Sequence, residues 1–405
     1  MVKIDGNGVK QWDSRFGGSG NEALFDIRQT SDGGYIMGGP SLSGISGDKT
    51  QANLGLRDYW VVKTDANGVK QWDATFGGTQ DDDLKSLRET PDGGYILGGS
   101  SHSGLSGDKS SASQGGDDYW IIKIDANGVK QWDLSFGGPG DDDLKAVLPA
   151  PDGGYIVGGS SLSDVGGDKS QSTQGNEDYW IIKTDANGVK QWDVRFGGSE
   201  NDFLKSIQLT ADGGYIAGGY SASGISGDKS QASQGESDYW LVKINANGEK
   251  LWDLSFGGDG DDDLKSVEQT ADGGYILGGK STSGLGGDKT QDCQGEEDYW
   301  MIKTDAGEFA TGIPGTAAAI DAGMVELYPN PVLENAIISF SLNEASPVLM
   351  QLMDVNGKSI GVIASQDFSA GSHEVSLHRE SLSAGIYFLQ IKTNEGVKMK
   401  KVVIE

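Results

Sequence analysis

The chain has 405 residues, enough for two or three domains with buried cores, and a formal net charge of −28. Such an acidic surface repels phosphate backbones and anionic lipid, which argues against nucleic-acid binding. No window is apolar enough to predict a transmembrane segment, and the single cysteine, Cys293, rules out an intramolecular disulfide.

The N-terminal Met1-Val2-Lys3-Ile4-Asp5 lacks the apolar centre of a signal peptide. It matches instead the middle of a repeat, as in Ile122-Lys123-Ile124-Asp125. All ten tryptophans obey one period of 60 residues, Trp12, Trp72, Trp132, Trp192 and Trp252 on one position and Trp60, Trp120, Trp180, Trp240 and Trp300 on another.

The second repeat shows what the period encodes. Residues 84–90 form a short, partly alternating strand, and Pro91-Asp92-Gly93-Gly94 a turn. Tyr95–Gly99 is a second strand, followed by a long loop of the kind that carries function. Tyr119–Lys123 is a third strand whose unbroken apolar run predicts burial on both faces. Asp125-Ala126-Asn127-Gly128 supplies a hairpin turn, and Val129–Gly138 a fourth strand. Four antiparallel strands repeated in phase predict propeller blades. First strands begin near Leu24, Leu84, Leu144, Leu204 and Leu264. The last blade lacks a fourth strand after Trp300–Lys303, and residues 9–18 are expected to supply it. The fold class read here is therefore all-β: a five-bladed β-propeller over residues 1–305, closed by its N-terminal strand, then a small Ig-like antiparallel β-sandwich.

The long loops and the connections between blades fall on one face, and that face is acidic. The connections read Asp81-Asp82-Asp83, Asp141-Asp142-Asp143 and Asp261-Asp262-Asp263 in three repeats. The loops add Asp108, Asp168 and Asp228, and Asp118, Asp178 and Asp238 precede the third strands. Two readings stand. The triplets could hold calcium, a hard ion that takes oxygen ligands, although their spacing fits neither an EF-hand nor a nonapeptide repeat. Alternatively these aspartates cap turns and keep the surface soluble. Asp108, Asp118, Asp168, Asp178, Asp228 and Asp238 are the candidate ligand-binding residues. The tryptophans, lying in strands, read as core packing rather than as sugar platforms.

Catalysis needs groups in different environments, whereas near-copies supply similar ones. The residues that break the symmetry, among them Ala23, Arg57, Phe203, Tyr220, Pro149 and Pro151, form no evident acid–base set. An enzyme is not supported on this reading.

After Asp305 the period ends. Residues 306–323 are small and read as a flexible linker. From 324 onward short alternating runs appear, at Ile337–Phe340, Val348–Leu352, Tyr387–Ile391 and Val402–Ile404. Tyr328-Pro329-Asn330-Pro331 opens this region, Asp354-Val355-Asn356-Gly357 follows a strand, Leu382-Ser383-Ala384-Gly385-Ile386-Tyr387 comes later, and Lys400–Ile404 ends the chain. In this order and place the motifs resemble the C-terminal sorting domain of the type IX secretion system of Gram-negative bacteria. That resemblance implies recognition by the secretion machinery through Tyr328, Pro329, Asn330, Pro331, Gly357, Gly385 and Tyr387, and release or attachment at the outer cell surface. The repeats are similar to those of secreted Gram-negative proteins regarded as propeller-like. The expected function is a multivalent binding or adhesion module with polysaccharide as a candidate ligand. The alternatives are a glycosidase-like hydrolase with one site at the ring mouth and a purely structural spacer.

Overall fold

A computed structural model describes residues 1–304, 326–342, 345–353, 359–379, 382–383, 385–393 and 396–404. The expected linker at 306–323 and the motif residue Gly357 lie outside the described residues. The chain divides into two compact units, Met1–Gln269 with Ile276–Lys303, and Thr270–Tyr275 with Thr304–Glu405.

A short hairpin opens the chain, β1 (Val2–Ile4) with β2 (Lys10–Asp13). The first full sheet is β3 (Asp26–Gln29), β4 (Tyr35–Ser41), β5 (Asp58–Thr64) and β6 (Lys70–Phe76). The second is β7 (Asp82–Glu89), β8 (Tyr95–Ser101), β9 (Asp118–Ile124) and β10 (Lys130–Phe136). The third is β11 (Asp142–Pro149), β12 (Tyr155–Ser161), β13 (Asp178–Thr184) and β14 (Lys190–Phe196). The fourth is β15 (Asp202–Leu209), β16 (Tyr215–Ser221), β17 (Asp238–Ile244) and β18 (Lys250–Phe256). The fifth has three strands, β19 (Asp262–Gln269), β20 (Tyr275–Ser281) and β21 (Asp298–Thr304). Within each sheet the strands run in chain order and pair antiparallel, as the repeat predicts.

The turn chemistry explains the register. Asp125 Oδ1 accepts from the amides of Asn127 and Val129, and Gly128 takes a φ of 81°, a value costly for any residue with a Cβ. At the opposite hairpin Asp92 accepts from Thr90 Oγ1 and Gly94 N and pairs with Lys123 at 2.9 Å.

Two adjacent glycines on each second strand do different work. A Cβ on Gly158 would lie 2.2 Å from Ile207 of the next sheet, so this glycine lets the neighbouring first strand press close. A Cβ on Gly219 would lie 1.9 Å from the carbonyl oxygen of Phe203, where β15 carries a bulge between Leu204 and Ser206. Matching bulges occur in β7 and β11.

The third strands form the core. Tyr119, Trp120, Ile121 and Ile122 are all 0 % exposed, and Tyr179–Ile182 repeat the pattern. Each buried tryptophan donates its indole N–H to an aspartate on the adjacent strand, Trp120 to Asp133 at 3.0 Å and Trp180 to Asp193 at 3.1 Å. In the first four full sheets the third-strand tyrosine reaches across to the next sheet. Tyr119 Oη donates to Trp180 O at 3.1 Å and Tyr179 Oη to Trp240 O at 3.0 Å, with ring centroids 5.0 and 4.8 Å apart. Such ring contacts add about 1 kcal/mol each beyond simple burial. The tryptophans are therefore packing residues, as expected.

The expected closure differs. Lys10–Asp13 pairs with Val2–Ile4, not with β21. Val2–Ile4 already stands in the third-strand place of its own repeat, and a hairpin partner joined by a tight turn needs little loop-closure entropy. The hairpin stacks on the first full sheet, Trp12 against Tyr35 at 5.7 Å, as Trp72 stacks on Tyr95. At the far end Tyr299 is 102 % exposed, whereas its counterpart Tyr239 is 0 % exposed. The structure thus shows repeated antiparallel sheets stacked face to face, and among the described strands the fifth sheet ends at β21.

The second unit contains two antiparallel sheets. One is β22 (Glu326–Tyr328), β23 (Asn335–Leu342) and β26 (Gly371–His378); the other is β24 (Ser346–Met353), β25 (Ser359–Phe368), β27 (Gly385–Thr393) and β28 (Gly396–Ile404). Ile338, Leu377, Met350, Leu389 and Val402 share one apolar core drawn from both. Asn330 Oδ1 accepts from Val403 N at 2.8 Å, which ties the Tyr-Pro-Asn-Pro segment to the last strand. Tyr328 is 80 % exposed, and Tyr387 donates its hydroxyl to Ser383 O.

Candidate functional site

The loop aspartates turn inward. Asp118, Asp178 and Asp238 are 0 % exposed, and their Oδ2 atoms accept from the backbone amides of Gln114, Gln174 and Gln234 at 2.6, 2.8 and 2.9 Å. Burial pushes all three carboxyls up to about 6. Asp108, Asp168 and Asp228 are half-buried and clamp the long loop onto the Phe-Gly-Gly segment. Their Oδ2 atoms accept from Gly77, Gly137 and Gly197 N, while their own amides donate to the same residues' carbonyls. These six side chains hold loops, and the structure does not gather them into one surface site.

The triplets divide by position. The middle members, Asp82, Asp142 and Asp262, are 0 % exposed; Asp142 accepts from Gly138 N and Ser163 Oγ, and Asp82 and Asp262 repeat this. The first members take different partners, Asp81 the Arg57 guanidinium at 3.0 Å, Asp141 the Asp117 amide and Asp261 the Ser237 hydroxyl. The third members meet lysines of their own strands, Asp83 with Lys85 at 3.8 Å, Asp143 with Lys145 and Asp263 with Lys265 at 2.6 Å. Among the described residues no three acidic, histidine or cysteine side chains converge as a metal site.

The repeats diverge where these third members lie. In place of an aspartate the fourth sheet carries Phe203, paired across the strands with Tyr220. The two rings stand 4.9 Å apart. In the third sheet the equivalent pair is Asp143 with Ser160. Lys205 occupies the bulge two residues on, and its ammonium lies 5.4 Å from the Phe203 ring and 5.1 Å from the Tyr220 ring. Lys265 approaches the Tyr220 ring at 5.9 Å. Tyr220 also lines a recess of about 300 Å³ with Ser237, Asp261, Asp263, Lys280, Thr282 and Glu297. Lys280 bridges Glu297 at 2.9 Å and Asp263 at 3.8 Å.

Two carboxyls beside this place are driven apart. Burial first, then the Asp143 charge, pushes Glu177 up to about 7. Burial opposes ionisation of Asp143 too, but Lys145 and the Ser100 hydroxyl, 2.8 Å away, hold it below the usual carboxylate range. Burial and then the charge of Asp263 raise the Tyr220 phenol to about 12. Two carboxyls displaced in opposite directions in adjoining settings form the arrangement that acid–base chemistry uses.

Sequence reasoning noticed Phe203 and Tyr220 as departures from symmetry but did not join them. It missed Glu177 and Lys280, and it grouped Lys205 with Lys85, Lys145 and Lys265 as neutralising the neighbouring acidic triplets. The signal was present in the repeat alignment: Arg57, Asp117, Glu177, Ser237 and Glu297 share one position, and Pro40, Ser100, Ser160, Tyr220 and Lys280 another. An apolar recess also exists, about 260 Å³ among Met1, Phe16, Met37, Trp60 and Val62, where the short N-terminal hairpin leaves the first full sheet partly uncovered.

Residues 326–405 match the family model of the secretion system C-terminal sorting domain. Over 197 residues the chain is 28 % identical to the regulatory protein FlaEY of Caulobacter vibrioides, a stretch covering 45 % of this chain and 19 % of that protein. The chain therefore spans about a fifth of that relative. Among solved structures it is similar to a glycoside hydrolase family 43 arabinoxylan arabinofuranohydrolase from Bacillus subtilis in complex with cellotetraose. That match has 12 % identity and a TM-score of 0.30, and covers 92 % of this chain and 90 % of the other. A sialidase matches at 9 % identity with a TM-score of 0.20, covering 94 % of this chain and 44 % of the other. At these TM-scores neither structure bears on this chain's activity.

Proposed function

We propose that the protein is an exported module that binds carbohydrate at the divergent end of its fourth and fifth sheets. Its sorting domain, residues 326–405, directs it through type IX secretion to the cell exterior or surface. The sheets serve as propeller blades, and their near-identical loops hold the scaffold. The observation that carries the reading is the Phe203–Tyr220 aromatic pair beside a polar recess of about 300 Å³, placed where the repeats differ from one another. Aromatic faces stack on sugar rings while the surrounding polar groups set orientation. A glycan array with the wild type, followed by calorimetry with Tyr220→Ala and Phe203→Asp, tests it. Binding that is lost in both variants supports the site, and binding unaffected by either removes it.

A second reading rests on one feature, the opposite displacement of two neighbouring carboxyls, Glu177 pushed up to about 7 by burial and the Asp143 charge, and Asp143 held low by Lys145 and Ser100. In that reading Glu177 donates a proton to the leaving glycosidic oxygen and Asp143 acts as base or nucleophile. Glu177→Gln would then abolish hydrolysis of a bound oligosaccharide and spare its binding. An oligosaccharide recovered intact after incubation with the wild type excludes hydrolysis of that sugar.

A further inference from the structure

Resting on the carbohydrate-binding reading, we infer that the sugar is acidic and that its carboxylate pairs with the Lys205 ammonium. In the second, third and fifth sheets the lysine at this repeat position meets the aspartate two residues before it, Lys85 with Asp83, Lys145 with Asp143 and Lys265 with Asp263. Residues two apart on a strand face the same side, so the strand geometry itself places the lysine beside the carboxylate. In the fourth sheet Phe203 replaces the carboxylate, and among the described residues no acidic group lies within ion-pair distance of Lys205.

Lys205 is half-buried and lies near two aromatic rings. Burial, with Lys145 and Lys265 nearby, draws its ammonium below the ordinary lysine value against the weaker pull of Asp263 and Asp143, neither of which reaches it as an ion pair. A ligand carboxylate supplies that charge where the other sheets supply an aspartate. The phenylalanine that removed the aspartate forms, with Tyr220, the face on which the sugar ring rests. The chain's net charge of −28 does not oppose this locally, because Asp143, Asp263 and Glu297 are each held by a lysine.

The test compares tetragalacturonate with its fully methyl-esterified form, which keeps the sugar face and removes the charge. Calorimetry on the full chain is expected to give about tenfold tighter binding of the acid at low salt, the size of one charge-assisted hydrogen bond. The preference should shrink as salt is raised. Lys205→Gln should bring the acid down to the affinity of the ester. Phe203→Asp, which rebuilds the internal pair, should weaken both ligands and abolish the preference. Thermal melts confirm that each variant is folded. Equal binding of acid and ester by the wild type, or a preference that survives Lys205→Gln, overturns the inference and leaves the carbohydrate reading standing. Failure of both ligands to bind, together with an empty array, overturns both.

Discussion

Replacing Asp118 with asparagine isolates the energetic cost of a buried loop anchor. Asp118 is fully buried, and its folded-state value of about 6 compares with an ordinary 3.8. Burial raises it first, and the charge of Asp142 adds to the rise against the pull of the Gln114 amide and Lys109. The sign follows from linkage. The folded form holds its proton more tightly than the unfolded form, so the contribution is complete below pH ~4 and is lost as pH rises through 6. The whole difference is worth about 3 kcal/mol at 1.36 kcal/mol per pKa unit. Between pH 7.5 and pH 5 the two titration curves release about 1.4 kcal/mol of it. Urea denaturation of wild type and Asp118→Asn at both pH values measures this directly, provided the slope is the same. The wild type should gain about 1.4 kcal/mol more than the variant on acidification. Equal gains in the two proteins would refute the argument that this carboxyl is forced to carry its proton by burial.

Three further outcomes are expected. Gly219→Ala places a Cβ against the Phe203 carbonyl at 1.9 Å, a backbone atom that cannot turn aside, so stability should fall by about 1–3 kcal/mol; a melting temperature equal to wild type would contradict the bulge explanation. Tyr179→Phe removes the bond to Trp240 O while keeping the ring contact, and should cost about 1 kcal/mol in urea titration; no change would mean that the hydroxyl does not link the sheets. Because each triplet's carboxylates part to different partners, chelation of calcium should leave the melting temperature unchanged, and a fall of several degrees would restore calcium as a structural ligand.

Much of the scaffold could be read from residues close together in the chain. The Asn127-Gly128 turn, the apolar run from Tyr119 to Ile122 and the glycine pairs of the second strands specify local conformations, and the 60-residue period repeats them. The predicted strands accordingly fall on β7 to β10, with ends that differ by one or two residues. The tail was legible in part. Its motifs placed the sorting domain, whereas β22, β25 and β26 had no signal strong enough to predict them.

What the chain order could not express is which carboxylate faces which partner. Asp141, Asp142 and Asp143 are consecutive and alike on paper, yet one caps a backbone amide, one is sealed beneath Ser163 and one meets Lys145, because successive strand residues point to opposite faces. Glu177 looked like one more loop acid until burial beside Asp143 separated its protonation from its neighbours'. Lys205 looked like every other bulge lysine until Phe203 took away its counter-charge. The pairing of the N-terminal strand was likewise settled by competition between two possible partners, the nearer one in the hairpin prevailing. By itself the sequence determined the repeated strands, their turns and the packing role of the tryptophans, since these depend on local geometry and a fixed period. Only the tertiary structure decided the edges and the divergent site, because burial, charge pairing and ring contact there join residues of different repeats.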